Sequence, residues 1–461
     1  MALLNTGCSV STIQADITGL TTGYAAECFA ILAGAVDGAT SDRCVTVPTS
    51  GSLPSLYPTQ TIPDGQVLFV EDVGVPVIAA SGKWIGFDKR VLRRDAPVPP
   101  QELSLFTWGF NGSGGLGDGT TSNRSSPVSS AGGGTIWSIV SAGNSHTIAI
   151  KSDGTLWTWG NNGSGRLGDG TITNRSSPGT VAGGGTSWCF AAAGGYDNSA
   201  AIKTDGTLWT WGRNNPSSVL GDGTSSNRSS PGTTAGGGTT WCMVSIGAGG
   251  HGLAIKTDGT LWAWGGNSFG QLGDGTTTAR TSPITVAGGG TTWCAVSAGN
   301  SHSAGVKTDG TLWTWGFNGS GRLGDGTTTN RSSPGTLSGG GTTWCAVCLG
   351  ALYGVGLKTD GTLWTWGSNS NGRLGDGTTT SRSSPGTVAG GGTTWCAIAA
   401  GRNNHSAAIK TDGTLWTWGG NGYGQLGDNT LTARSSPGTI VGGATTWKTV
   451  TAGYHTAALR S

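Results

Sequence analysis

Lys307-Thr308-Asp309-Gly310-Thr311-Leu312-Trp313-Thr314-Trp315-Gly316 decides the fold. Its Asp-Gly pair is the strongest short hairpin signal, because a tight turn needs a backbone that Gly adopts without steric cost. After the turn, strand alternation sends Leu312 to one face and Trp313 and Trp315 to the other. The closing Trp-Gly pair recurs at Trp108, Trp159, Trp211, Trp264, Trp315, Trp366 and Trp418, with spacings of 51, 52, 53, 51, 51 and 52 residues. A fixed period of this length marks a repeat architecture.

Working outward, each unit carries L-G-D, a Ser/Thr-rich stretch, R-[ST]-S-P, a Gly run, a Trp, a small-residue stretch and a slot that is usually His, and then returns to the hairpin. Four strands per unit follow. Trp293 to Ala298 is the inner one, His302 to Lys307 and Thr311 to Gly316 form the hairpin, and the Ser-Ser-Pro stretch suits an outer edge, where Pro is tolerated. The array begins mid-unit at Leu105-Phe106-Thr107-Trp108-Gly109 and ends mid-unit at His455-Thr456-Ala457-Ala458-Leu459-Arg460. The two halves complement each other, and a closed ring removes the exposed strand edges. The fold predicted is all-β: a seven-bladed β-propeller over 103–461, closed by N- and C-terminal strands sharing one blade.

Composition agrees. Gly supplies 88 of 461 residues and charged residues only 11%, a balance that favours short strands and tight turns over helices. A net charge of +2 without a basic run gives no electrostatic footprint for nucleic acid. Neither a signal peptide nor an apolar stretch long enough to span a membrane is visible.

The runs Val140 to Ile150 (V-S-A-G-N-S-H-T-I-A-I) and Val296 to Val306 (V-S-A-G-N-S-H-S-A-G-V), with W-G-x-N-x-x-G-x-L-G-D-G at Trp159 to Gly170, resemble the repeat signature of the regulator-of-chromosome-condensation family. The resemblance covers about Leu103 to Ser461 and implies the propeller fold. For function it implies a range, from nucleotide-exchange factors and ubiquitin-ligase modules to an enzyme-inhibitor protein and phage surface proteins. Long insertions of the exchange-factor kind are absent from these units.

The first hundred residues hold none of the repeat. A short helix is expected around Tyr24 to Ala33, then three short strands from Gly65 with turns at Asp72-Val73-Gly74 and Ser81-Gly82-Lys83. The division expected is 1–95 as an anchoring or assembly module, 96–102 as a stiff Pro-rich linker and 103–461 as the propeller. The N-terminal stretch, ending in W-x-G-x-D-x-R from Trp84 to Arg90, resembles the anchoring regions of bacteriophage tail-fibre proteins.

Most chemistry-bearing residues come once per unit, which points to structural work. The five His (His146, His251, His302, His405 and His455) share one slot with Asn198 and Tyr353 and are read as satisfying backbone groups. The L-G-D Asp and R-[ST]-S-P Arg match one to one and are read as internal pairs. Cys189, Cys242, Cys294, Cys345 and Cys396 follow the inner-strand Trp and are read as small packing residues. Cys345-x-x-Cys348 lacks the second pair a metal or redox site needs. No catalytic set, metal site or cofactor site is expected, so the protein is read as not an enzyme.

Recognition is placed where units differ, in the loops after the Trp-Gly pair and before the His slot. The candidate contact residues are Phe110, Tyr196, Asp197, Arg213, Asn214, Phe269, Phe317, Tyr353, Arg402, Asn403, Tyr423 and Tyr454, types that anchor interfaces. The functional expectation is a virion-located phage component, fibre-like, adhesin or decoration protein. Residues 1–95 would hold other virion proteins, with homo-oligomers formed through that module, and the propeller would hold a host-surface protein or glycan. The alternative is a cytoplasmic protein-binding scaffold of the chromosome-condensation-regulator type, or an enzyme inhibitor.

Overall fold

A computed structural model describes residues 103–461, apart from 132–135 and 196, and three short strands before them. Val67–Phe69, Pro76–Ala80 and Lys83–Gly86 pair in that order as an antiparallel sheet. The three strands match the expectation. The expected helix, both turns, the linker and most of 1–95 lie outside the described residues.

Residues 103–461 form seven antiparallel sheets of four strands each. Blade one is Trp137–Ala142, His146–Lys151, Leu156–Gly160 and Arg175–Thr180, and blades two to six repeat the pattern from Trp188, Trp241, Trp293, Trp344 and Trp395. Blade seven joins both ends of the array: Trp447–Ala452 and His455–Arg460 pair with Ser104–Gly109, which pairs with Arg124–Ser129. His455 lies opposite Gly109 and Arg460 opposite Ser104, so the closing strand fills the gap along its whole length.

The hairpin turns form as their chemistry dictates. In blade one Gly154 has φ +77°, and a Cβ there would lie 2.1 Å from the Thr186 carbonyl. The Asp153 carboxylate accepts from the Thr155 amide and hydroxyl, and the Thr155 hydroxyl accepts from the Trp157 indole at 2.8 Å. The outer strand's Pro residues sit beside a register shift, as between Thr158 and Gly160, on a free edge where no ladder donor is missed.

The inner strand also breaks register just after its Trp. The residue at the break places its side chain against a carbonyl of the second strand, and the repeated Cys serves there. Its thiol donates to Ile202, Ile255, Val306, Leu357 or Ile409, and the Ser138 hydroxyl donates to Ile150 in the same way. These Cys are weak donors as well as packing residues.

The Trp of each Trp-Gly pair is fully buried between blades. In six of seven, its indole donates to a carbonyl of the preceding blade, for example Trp315 to Gln271 at 2.9 Å and Trp264 to Val219 at 2.7 Å. Trp159 is the exception, with no acceptor for its buried indole. The second hairpin Trp is half-buried, edge-on to the inner-strand Trp, with a Lys ammonium above both rings, as Lys307 above Trp313 at 4.5 Å and Trp293 at 4.9 Å.

Trp315→Phe removes one such bond, but Gln271 keeps its second donor, Ser303. Losing the bond should cost about 1 kcal/mol in urea unfolding. Trp159→Phe removes a donor that has no acceptor; both substitutions leave the same cavity, so Trp159→Phe should be the milder of the two by about 1 kcal/mol.

Candidate functional site

Strand direction divides the loops between two ends of the ring. The loop joining first and second strands and the loop joining third and fourth lie at one end; the Asp-Gly turns and the Gly-rich connections between blades lie at the other. Both divergent loops therefore share one face. They are tied together in six of the seven blades: Asn161 donates its amide to Ser145, Arg213 to Asp197, Phe317 to Ser301, and Ser368 to Leu352, at 2.8 to 3.0 Å, and Gly266 and Gly420 do the same.

The longer of the two loops is rigid for a reason the sequence holds in plain view. Asn111, fully buried, donates to the Asp118 carboxylate and the Thr120 carbonyl and accepts from the Leu116 amide. Asp118 accepts from the Thr120 amide and hydroxyl and pairs with Arg124 at 2.7 Å. Burial alone would raise the Asp118 pKa, but the Thr120 and Arg124 bonds outweigh it and hold it below the usual value. All seven Asp–Arg pairs form, so the internal pairing expected of them is present.

The His slot forms a ring between blades. The Nε2 of His146 lies 3.0 Å from the Ser199 hydroxyl, His251 meets Ser303, His405 meets Thr456, and His455 meets Thr147 at 2.7 Å. The same hydroxyls donate to the carbonyls that receive the buried Trp, as Ser199 does to Arg166 at 2.8 Å. The ring is interrupted where Gly252 and Gly354 replace the hydroxyl residue, leaving Asn198 and His302 without side-chain partners. Burial holds all five imidazoles neutral, to about 3 in His251 and His405 and about 4 in His455. The role is structural, as the repetition implied: four of the five imidazoles meet hydroxyls of the next blade, and backbone groups of Asn198, Tyr353 and Asn403 bear on His146, His302 and His405.

The structure brings several candidate contact residues together. Phe110 meets Tyr423 and Tyr454, ring centroids 5.1 and 6.3 Å apart, across blades six and seven. Phe269 meets Phe317 at 4.6 Å across blades three and four, with the Arg322 guanidinium 4.4 Å above Phe317. Phe269 is 39% exposed and Tyr423 41%, so each cluster presents one ring outward. Asp197 lies 3.9 Å from Arg213 and pairs with Arg166 at 2.6 Å. Arg402, on blade six, reaches the Ile246 carbonyl of blade three at 2.8 Å, and Asn403 gives its carbonyl to Gln425. Tyr196 lies outside the described residues.

Two of the candidates are not surface groups. Tyr353 is fully buried in the His slot, its hydroxyl donating to the His405 carbonyl and accepting from the Gly401 amide. Asn214 is the buried loop-stitching Asn of blade two. Tyr353 differs from its equivalents because of what it packs against, whereas Asn214 does not differ at all: the same Asn stands at that position in every blade, as Asn111 and Asn162 do. Conversely, the position before each L-G-D was passed over, though its identity changes from Gly115 to Arg166, Val219, Gln271, Arg322, Arg373 and Gln425. That variation inside a constant motif was the available signal.

No group of three His, Cys, Asp or Glu among the described residues is placed to hold a metal ion. Cys345 and Cys348 donate to different carbonyls, Leu357 and Ile398, and burial pushes the Cys348 thiol up to about 12.

The RCC1-like domain pattern matches residues 101–403, and RCC1 repeats match 395–425 and 412–459. This chain belongs to the RCC1 family. The plant ultraviolet-B receptor UVR8 of Arabidopsis thaliana is 31% identical over 305 residues, covering 65% of this chain and 68% of UVR8. The human E3 ubiquitin-protein ligase HERC2 is 30% identical over 371 residues, covering 77% of this chain but only 7% of HERC2. Among solved structures, yeast Prp20p superposes with a TM-score of 0.69 at 20% identity, over 78% of this chain and 92% of Prp20p. Human WBSCR16 gives 0.66 at 21% identity, over 78% of this chain and 99% of that one.

These relatives overturn the expectation of a phage virion component. A plant photoreceptor, a ubiquitin ligase and a mitochondrial RCC1 domain-containing protein of Arabidopsis thaliana are cellular proteins, not particle parts. The virion location, the docking of 1–95 on virion proteins and the host-surface glycan fall with that reading. Among the similar structures, yeast Prp20p has been studied for its binding to Gsp1p and histones and solved bound to Kap60.

The neutral imidazole ring sets a pH dependence. As pH falls through 6.5 an unfolded chain protonates its His, whereas the folded ring resists until about 3 to 4. Unfolding then takes up protons, so stability is full above about pH 6.5 and lost below it, by up to about 1.4 kcal/mol per imidazole per pH unit. The urea midpoint should fall steadily from pH 7.5 to 5; a flat profile would show that the folded ring takes up protons as readily as the unfolded chain.

Proposed function

We propose that this chain is a non-catalytic scaffold of the RCC1 type that binds a protein partner inside the cell through the face carrying the two divergent loops. One observation supports this reading above the others: every feature constant between blades is consumed in holding the ring, and the features that vary converge on a single face. On that face two aromatic clusters, Phe269–Phe317 and Phe110–Tyr423–Tyr454, lie on different sides of the ring. Half-exposed aromatic rings on a rigid base suit interface anchors, because little side-chain entropy is left to lose on binding. The protein partners of Prp20p support a protein, in preference to a glycan, as the class of ligand.

The test is to immobilise the full chain, identify the proteins retained from its own cell type and compare two variants. Phe269→Ala with Tyr423→Ala removes the exposed rings of the loop face. Val441→Ser alters an exposed apolar residue at the opposite end of the ring. Retention of a specific partner should drop at least about tenfold in the first variant and stay unchanged in the second. The reverse pattern would place the interface on the Gly-rich face and end this reading.

A further inference from the structure

On the loop face, the acidic residues of the L-G-D loops are already paired, which leaves Asp197 alone against Arg166, Arg213, Arg322, Arg373 and Arg402. Asp197 serves Arg166 and Arg213. Arg322 and Arg373 have no carboxylate within ion-pair distance among the described residues, although they are only 5% and 1% exposed. Arg373 donates through Nη2 to the Ser370 hydroxyl and packs on the Tyr353 ring, and its Nε and Nη1 meet no acceptor. Arg322 donates to the Gly319 carbonyl and repels Arg373, and burial with that repulsion brings its pKa down to about 10.

The repeat supplies its own control. Arg166 of blade one occupies the same position as Arg373 of blade five, and each faces the loop that precedes the ring slot of the next blade. Asp197 fills that position for Arg166, with φ 72°; Asn404 fills it for Arg373, with φ 64°. The backbone is conserved and the countercharge is gone. A buried guanidinium with two unmet donors is costly, and an oxyanion satisfies both at once in the bidentate geometry that guanidinium favours.

We propose that Arg373, with Arg322 one blade away, forms a seat for an oxyanion at the inner rim of the loop face, in the place that the Asp197 carboxylate takes beside Arg166. The shared chemistry is a carboxylate or phosphate group. It comes either from a free small anion or from an acidic side chain of the bound protein, and in the second form the seat rests on the protein-binding reading.

The experiment uses the full chain and the variant Asn404→Asp, which restores the missing carboxylate without changing side-chain size. Inorganic phosphate is titrated against sodium chloride of equal ionic strength by thermal shift, and a fluorescein-labelled hexaglutamate peptide by anisotropy. The wild type should bind at least one probe saturably, and Asn404→Asp should weaken that binding at least about tenfold. Without ligand, Asn404→Asp should melt at a higher temperature, because the guanidinium gains its partner. Phosphate alone binding identifies a free anion, and tighter binding of the peptide identifies a partner's carboxylate. Equal binding by wild type and variant, saturable binding of neither probe, or no rise in melting temperature overturns the seat. Partner capture that still depends on Phe269 and Tyr423 in that event leaves the proposed function standing.

Discussion

The ring depends on one contact, made at six of its seven blade junctions: the buried indole of the Trp-Gly pair reaching a carbonyl in the blade before it. That carbonyl belongs to the residue preceding L-G-D, and it is held in place because Asn, Asp, Thr and Arg stitch the loop around it. A conformationally free loop would lose entropy on forming the contact, whereas a prefolded loop loses little. The Ser or Thr that follows the His slot donates to the same carbonyl, and the His of the previous blade meets that hydroxyl. Three repeated side chains thus converge on a single acceptor between neighbouring blades.

Fold and closure were legible in the sequence because each rests on a local signal repeated seven times. Asp-Gly fixes the hairpin, Trp at a constant interval fixes the blade, and the split unit at Leu105 and His455 fixes the closing blade. The register break behind the inner-strand Trp was not legible, since all seven blades carry the same extra residue and no difference in length betrays it, and so the donor role of Cys189 and its equivalents was missed.

The loop face was legible only in part. Treating variation as surface exposure succeeded for Phe269 and Tyr423 and failed for Tyr353, which varies because it occupies a slot the other blades fill with His or Asn and reaches a different backbone group. The same habit overlooked Arg322 and Arg373, whose variation sits inside a motif that otherwise repeats. Function was the least legible, because a few residues resembling phage anchoring segments carried more weight than the whole propeller. The propeller's own resemblance spans regulators, ligase modules, an inhibitor and phage surface proteins, and so did not choose between them.

The shared blade also ties this fold to the direction in which a chain is made. Ser104–Gly109 and Arg124–Ser129 leave the ribosome as half a blade, and their partner His455–Arg460 follows roughly 350 residues later. At about 5–20 residues per second that delay is roughly 20 to 70 seconds. During it, blades one to six are completed in turn into an open arc that keeps an unpaired strand edge at its start. The nascent chain therefore has a long interval of vulnerability to intermolecular pairing, and it ends only once His455–Arg460 has been made.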